Sequence, residues 1–237
     1  MQLQLQNIQI LTADLILESG LHIGAGDSEI HIGGIDNSVV KHPISGEPYI
    51  PGSSLKGKIR SLLEWKSGAV QETPLGKTEY DQSTGAQQTA VKHILQLLGI
   101  SGDTQDETFQ KHIGHTRLAF WDCPLDPGYA AKQREDNLSW TEAKSENRIN
   151  RIAGTAEHPR QTERVPAGAK FRFKLTLKTF DGDDATLRQT LLTGLKLLEW
   201  DSLGGSGSRG YGKVRFDNLE LDGKNISDEF AQLKPFG

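Results

Sequence analysis

The stretch FRFKLTLK, residues 171–178, decides the fold. Phe171, Phe173, Leu175 and Leu177 alternate with Arg172, Lys174, Thr176 and Lys178, the period of a strand with one buried face. Leu187, Leu191, Leu195 and Leu198 then recur at helical spacing and stop at Gly204-Gly205. Val214, Phe216, Leu219 and Leu221 make a final strand with an irregularity at Asp217-Asn218. The C-terminal third therefore reads strand, helix, strand.

Working outward, Leu3, Leu5, Ile8, Ile10, Leu15 and Leu17 alternate with polar residues and predict N-terminal strand. Leu55, Ile59, Leu62 and Leu63 predict a helix over 54–66, with a serine as its N-cap. Together these elements predict an α+β chain: a split βαβ, ferredoxin-like (RRM-like) palm with one antiparallel sheet and helices on one face. Val91, Ile94, Leu95 and Leu98 before Gly99 predict a short helix, and Thr116–Trp121 a strand. Residues 67–90 are polar and aperiodic and read as a mobile surface excursion; residues 123–168 are a second, densely charged one. No repeat or linker divides the chain, so a single domain over 1–237 is expected.

The 237 residues carry a net charge of −4, which argues against a uniformly basic nucleic-acid binder. Charge acts locally, however. Residues 41–66, 144–174 and 208–215 together carry +11, leaving −15 for the remainder, which predicts one basic side on an otherwise acidic surface. The lone Cys123 excludes an intramolecular disulfide framework, and the start lacks the basic and apolar regions of a signal peptide. No apolar run is long enough to span a membrane. A cytoplasmic protein is expected.

Two segments, Gly52–Lys58 and Gly207–Lys213, fit G-x-x-x-x-G-K, but Ile59 and Val214 stand where a phosphate loop needs a hydroxyl for Mg²⁺. A nucleotide triphosphatase is thereby disfavoured. The first segment still places Ser53, Ser54, Lys56, Lys58 and Arg60 at the start of a helix, where unpaired N–H groups and the dipole favour an anion; solvated surface lysines are the alternative. The second belongs to GGSGSRGYG, residues 204–212, where Arg209 offers a fork for phosphate and Tyr211 a ring on which a base could stack; a flexible turn is the alternative. Asp36 lies in a glycine loop with His22, Asp27, His31 and His42 nearby in sequence. Its carboxylate could hold a divalent metal, position a ribose 2′-hydroxyl, or only cap a turn. His112, His115 and Cys123, with His93, lack the spacing of a structural zinc site. Arg148, Arg151, Arg160 and Arg164 are spread among Ile149, Ile152 and Val165. That composition suits gripping a strand and wedging between bases, although Glu146, Glu157 and Glu163 equally suit a salt-bridged loop.

In chain order, LHIG (21–24), GIDN (34–37), IPGSSLKGKIR (50–60), TRL (116–118), ENRINR (146–151), PRQTERVPAG (159–168) and the glycine loop at 204–212 resemble the RAMP superfamily. Within it they are most similar to the repeated backbone subunit of type III-A (Csm) CRISPR interference complexes. The resemblance implies a palm bearing a lid-like insertion at about 67–115 and a thumb-like insertion at about 123–168. It implies copies of the chain stacked in a helical filament on CRISPR RNA, beside large, small and cap subunits and without a membrane. It further implies cleavage of guide-paired target RNA at regular intervals in a reaction dependent on Mg²⁺ or Mn²⁺. On the matching motif Asp36 is then the catalytic residue and metal ligand. His22, Lys56, Lys58 and Arg60 fall on guide-contacting positions, and Arg148, Arg151, Arg160 and Arg164 on the thumb. The alternative is a backbone subunit that organises the guide without cutting.

Overall fold

The computed structural model describes residues 4–26, 37–100 and 106–236. In chain order its elements are β1 (Leu5–Leu17), β2 (Tyr49–Ile50), α1 (Gly52–Ser67), α2 (Lys77–Gln82), α3 (Gly85–Leu98), α4 (Glu107–Ile113), β3 (Leu118–Phe120), β4 (Cys123–Pro124) and α5 (Pro127–Glu135). There follow β5 (Glu142–Ile149), β6 (Ala156–Arg164), β7 (Lys170–Phe180), α6 (Leu187–Trp200), β8 (Val214–Leu221), β9 (Lys224–Asn225) and α7 (Ser227–Gln232).

Strand β1 is central in an antiparallel sheet ordered β3-β7-β1-β8-β9. Its odd positions Leu11, Ala13, Leu15 and Leu17 are buried and face the same side as Phe171, Phe173, Leu175 and Leu177, because the register pairs Leu11 with Leu175 and Leu15 with Phe171. Helices α1, α3 and α6 pack against one another and share the core with this side of the sheet. The α+β, ferredoxin-like expectation therefore holds. So does the irregularity at Asp217-Asn218: two steps along β1, Thr12 to Asp14, oppose three along β8, Glu220 to Asp217, and Asn218 takes φ 53° within that bulge. Leu5, Ile8 and Ile10 are strand residues, as predicted, but remain exposed. Ile8 and Ile10 occupy even positions and point away from the helices.

Helix α1 begins at Gly52 with Pro51 as N-cap and no side-chain cap, rather than behind a serine. Asp122, in the β3–β4 connection, accepts the Gly52 N–H at 2.8 Å and does the cap's work from 70 residues away. A Cβ at Gly52 would lie 2.7 Å from the Phe120 carbonyl oxygen, so this glycine admits a neighbouring backbone instead of a phosphate.

The excursion at 67–90 is folded: it contains α2 and the first turns of α3. It is held by polar groups on α1. Arg60 donates to the carbonyls of Leu75 (2.9 Å) and Gly99 (2.9 Å) and to Glu64 Oε1 (2.7 Å), which in turn accepts the Leu75 N–H at 3.1 Å. Residues 123–168 comprise β4, α5 and the β5–β6 hairpin. Among the described residues no helix is long and apolar enough to cross a membrane.

Candidate nucleic-acid interface

Three segments distant in sequence meet at one junction: residues 20–24 after β1, the glycine loop at 204–212, and the root of the β5–β6 hairpin. Leu21 and Val165 exchange backbone hydrogen bonds at 2.8 and 2.9 Å, while the Gly205 and Gly212 amides donate to the carbonyls of His22 and Gly20. Gly204 and Gly212 adopt φ 74° and 72°. A Cβ there would fall 2.3 Å from the His22 oxygen and 1.9 Å from the Leu203 oxygen. The close backbone approach anticipated from the glycine density is thus made, at these two positions, to the protein's own chain.

The His22 ring is half-buried against this junction, and its Nδ1 lies 2.7 Å from the Glu163 carbonyl oxygen. A carbonyl only accepts, so Nδ1 carries the proton and Nε2 of the neutral ring is left as an acceptor. Glu163 itself is buried. Its carboxylate accepts from Lys41 Nζ (2.5 Å), the Thr141 hydroxyl (2.6 Å) and the Val39 amide (2.8 Å), and its own amide donates to the Asn37 carbonyl at 3.0 Å. Burial pushes the Glu163 carboxyl up, but the bonds from Lys41, Thr141 and Val39 outweigh it and hold it below the ordinary glutamate range. Asp36, with Asp27 and His31, lies outside the described residues. Its chain neighbour Asn37 begins the run that Glu163 ties to the hairpin root.

The expected row of cations on α1 separates into three roles. Arg60 points inward as the clamp on Leu75 and Gly99. Its side chain is 15% exposed and carries three protein bonds, so it is a structural residue here and not a free phosphate ligand. Lys58 pairs with Asp201 at 2.6 Å, at the C-cap of α6 just before the glycine loop. Lys56 is half-buried and has no ion-pair partner among the described residues. Ser53 is exposed and Ser54 half-buried on the same first turn.

On the hairpin, the register sets Glu142 opposite Arg164 and Glu146 opposite Arg160, and both pairs close, at 2.7 and 3.1 Å. Arg209 reaches across from the glycine loop to Glu146 at 3.1 Å, and Lys144 Nζ donates to the Arg209 carbonyl at 3.1 Å. Tyr211 is only 1% exposed: Lys144 Nζ lies 4.2 Å and the Arg164 guanidinium 5.1 Å from its ring centre. The expected stacking face is thereby covered, and the ring acts as an apolar seat for two hairpin cations. Arg148 and Arg151 are exposed without an ion-pair partner among the described residues, and at the hairpin end Ile149 is 47% and Ile152 100% exposed. The salt-bridged reading of the segment therefore fits its root, and the strand-gripping reading suits its tip.

Among the described residues no three of His, Cys, Asp and Glu converge on a metal site. His112 contacts the Tyr80 hydroxyl at 2.9 Å, His115 stacks on Phe180, and His93 lies near Thr190 and Asp184. Cys123 is buried, and burial pushes its thiol up to about 12. The expected Mg²⁺ or Mn²⁺ finds no cage in these residues, and Asp36, its named ligand, lies outside them.

Glu163 and Glu146 were visible in the sequence only as acids among arginines. For Glu146 the signal is cross-strand register, which sets it opposite Arg160 and cannot be read before the hairpin turn is known, whereas Glu163 faces Ala143 in that register and takes its partners Lys41, Val39 and Thr141 from outside it.

Residues 14–215 match the family described as the RAMP superfamily. The chain is 38% identical over 223 residues to a CRISPR system Cms endoribonuclease Csm3 of Methanothermobacter thermautotrophicus, covering 92% of this chain and 87% of the relative. It is 40% identical over 215 residues to the protein of the same name from Streptococcus thermophilus, covering 88% and 87%. Among solved structures it is similar to a chain in the crystal structure of the Csm3-Csm4 subcomplex in the type III-A CRISPR-Cas interference complex. There the TM-score is 0.53 at 28% identity, over 93% of this chain and 80% of that one.

Proposed function

This chain belongs to the RAMP superfamily, and on that premise we propose that it is a backbone subunit of a type III-A CRISPR interference complex that binds CRISPR RNA and cuts guide-paired target RNA. The observation that carries this reading is the near full-length likeness to proteins named as Csm3 endoribonucleases. Its partners in this reading are guide RNA, target RNA, further copies of itself in a filament and the other subunits of the complex, in the cytoplasm. The β5–β6 hairpin serves as the thumb and α2–α4 as the lid. Lys56, the first turn of α1, His22 and the exposed arginines of the hairpin face RNA backbone. Sequence choice comes from base pairing with the guide.

Asp36 is the proposed catalytic residue. When a target nucleotide is flipped, its 2′-hydroxyl can align with the adjacent phosphate, and a carboxylate that takes the hydroxyl proton lets that oxygen attack phosphorus while the 5′-oxygen departs. The divalent ion implied by the family belongs to this proposal, and no step here is routed through it. Asp36→Ala is expected to leave guide and target binding intact while abolishing the regular cleavage ladder, and chelation with EDTA to stop cleavage without releasing RNA. An unchanged ladder in Asp36→Ala overturns the assignment of Asp36 as the catalytic residue.

A further inference from the structure

Glu146, on β5, gathers three cations around one carboxylate. Arg160 Nη2 and Arg209 Nη1 both reach its Oε2, each at 3.1 Å, and Lys144 Nζ lies 3.8 Å from Oε1. Three cations surround one anion, so the cluster keeps an excess of positive charge. The guanidiniums come from different parts of the fold, β6 and the glycine loop, and their side chains are 47% and 53% exposed, whereas the Glu146 side chain between them is 13% exposed. Burial pushes the Glu146 carboxyl up, yet Arg160 and Arg209 hold it below the ordinary range, so it stays charged at neutral pH. The cluster opens onto a groove along the hairpin lined by Arg148, Arg151 and His158.

We propose that Arg160 and Arg209 form a cradle for one RNA phosphate bridging hairpin and glycine loop, and that Glu146 occupies this cradle as an internal stand-in until a multiply bound RNA strand displaces it. The proposal rests on the RNA-binding reading above and adds a residue that sets selectivity. A carboxylate and a phosphodiester each offer two oxygens and about one negative charge to a pair of guanidinium forks. Exchange between them conserves the local charge and bonding, so it yields little net affinity by itself. An RNA held only at the cradle loses to a tethered competitor whose effective concentration is high, whereas a strand also bound along α1 and the hairpin tip displaces it. Glu146 thus subtracts from every weak RNA contact while leaving a strand held at many points in place.

The test is fluorescence anisotropy of a labelled 12-nucleotide oligouridylate on the purified full chain, across a series of NaCl concentrations. E146Q keeps the size of the side chain and removes its charge. It is expected to bind about tenfold tighter near physiological salt because the competitor is gone, with the slope of log K against log[salt] unchanged because the displaced wild-type cradle already holds its phosphate. Adding R160A and R209A to E146Q should erase that gain. E146Q binding no tighter than wild type overturns the proposal. Should E146Q lower the melting temperature, R209A in the otherwise wild-type chain reads the cradle independently: a slope shallower by about 0.7 supports it, and an unchanged slope overturns it. Wild type that binds no RNA at any salt overturns the RNA-binding reading as well, which separates the two failures.

Discussion

Lys41 and Glu163 lie 122 residues apart in sequence and meet at 2.5 Å, on a carboxylate whose side chain is only 6% exposed. Because the same carboxylate holds the Val39 amide and the Thr141 hydroxyl, it joins the run beginning at Asn37 to both strands of the hairpin root. Glu163→Ala leaves a buried amide and hydroxyl unpaired and is expected to cost about 2–3 kcal/mol, a fall of roughly 4–12 °C in melting temperature for a chain of this size. Glu163→Gln, which can still accept from one of them, should lose less. The pH dependence has a definite sign. The folded-state pKa is depressed, so the contribution is complete above the unfolded value near 4.5 and is lost as pH falls through the folded one. Thermal melts between pH 3 and 7 should show wild type losing the advantage over Glu163→Ala only at the acid end.

Arg60 and Lys56 occupy the same helix four residues apart and should behave oppositely. Arg60→Ala removes three bonds to Glu64, Leu75 and Gly99, leaving Glu64 buried without its cation, and is expected to lower stability by about 3 kcal/mol. Its RNA affinity should retain the wild-type salt slope once measured on folded protein. Lys56→Ala should melt like wild type and bind RNA with a slope shallower by about 0.7, one phosphate contact on a single strand. Parallel melts and salt titrations decide. A slope change in Arg60→Ala equal to that of Lys56→Ala would return Arg60 to the RNA surface.

The contrast between these residues explains what could be read in advance. Alternation at 171–178 and the leucine stripe at 187–198 are strong periodic signals produced by burial on one face, and they led directly to the observed β7 and α6. The folding of 67–90 carries no such stripe. It depends on Arg60 and Glu64, two charged residues on a flank of α1 that bond to carbonyls and amides of the incoming chain. Periodicity records apolar burial and is silent on buried polar clamps. Tyr211 shows the same limit. Its place beside Arg209 suggested an open ring, but the cations that cover it, Lys144 and Arg164, come from the two strands of the hairpin and enter only through tertiary structure. Motif order, in contrast, was enough to identify the family.

Ile152 gives the last prediction, because it is fully exposed at the turn of the hairpin and is flanked by the unpaired Arg151. A β-branched apolar side chain with no protein neighbour contributes nothing to the core, so Ile152→Ser should leave stability within about 0.5 kcal/mol of wild type. If the hairpin parts stacked bases in the guide–target duplex, an apolar tip offsets the lost stacking of about one step, near 1.4 kcal/mol. Its removal should then slow target cleavage about tenfold. Guide binding should keep its affinity and salt slope, since no charge is removed. Reconstituted cleavage assays with matched guide and target read this directly. A cleavage rate equal to wild type would show that the tip does not separate bases and would confine the hairpin to holding the guide through its arginines.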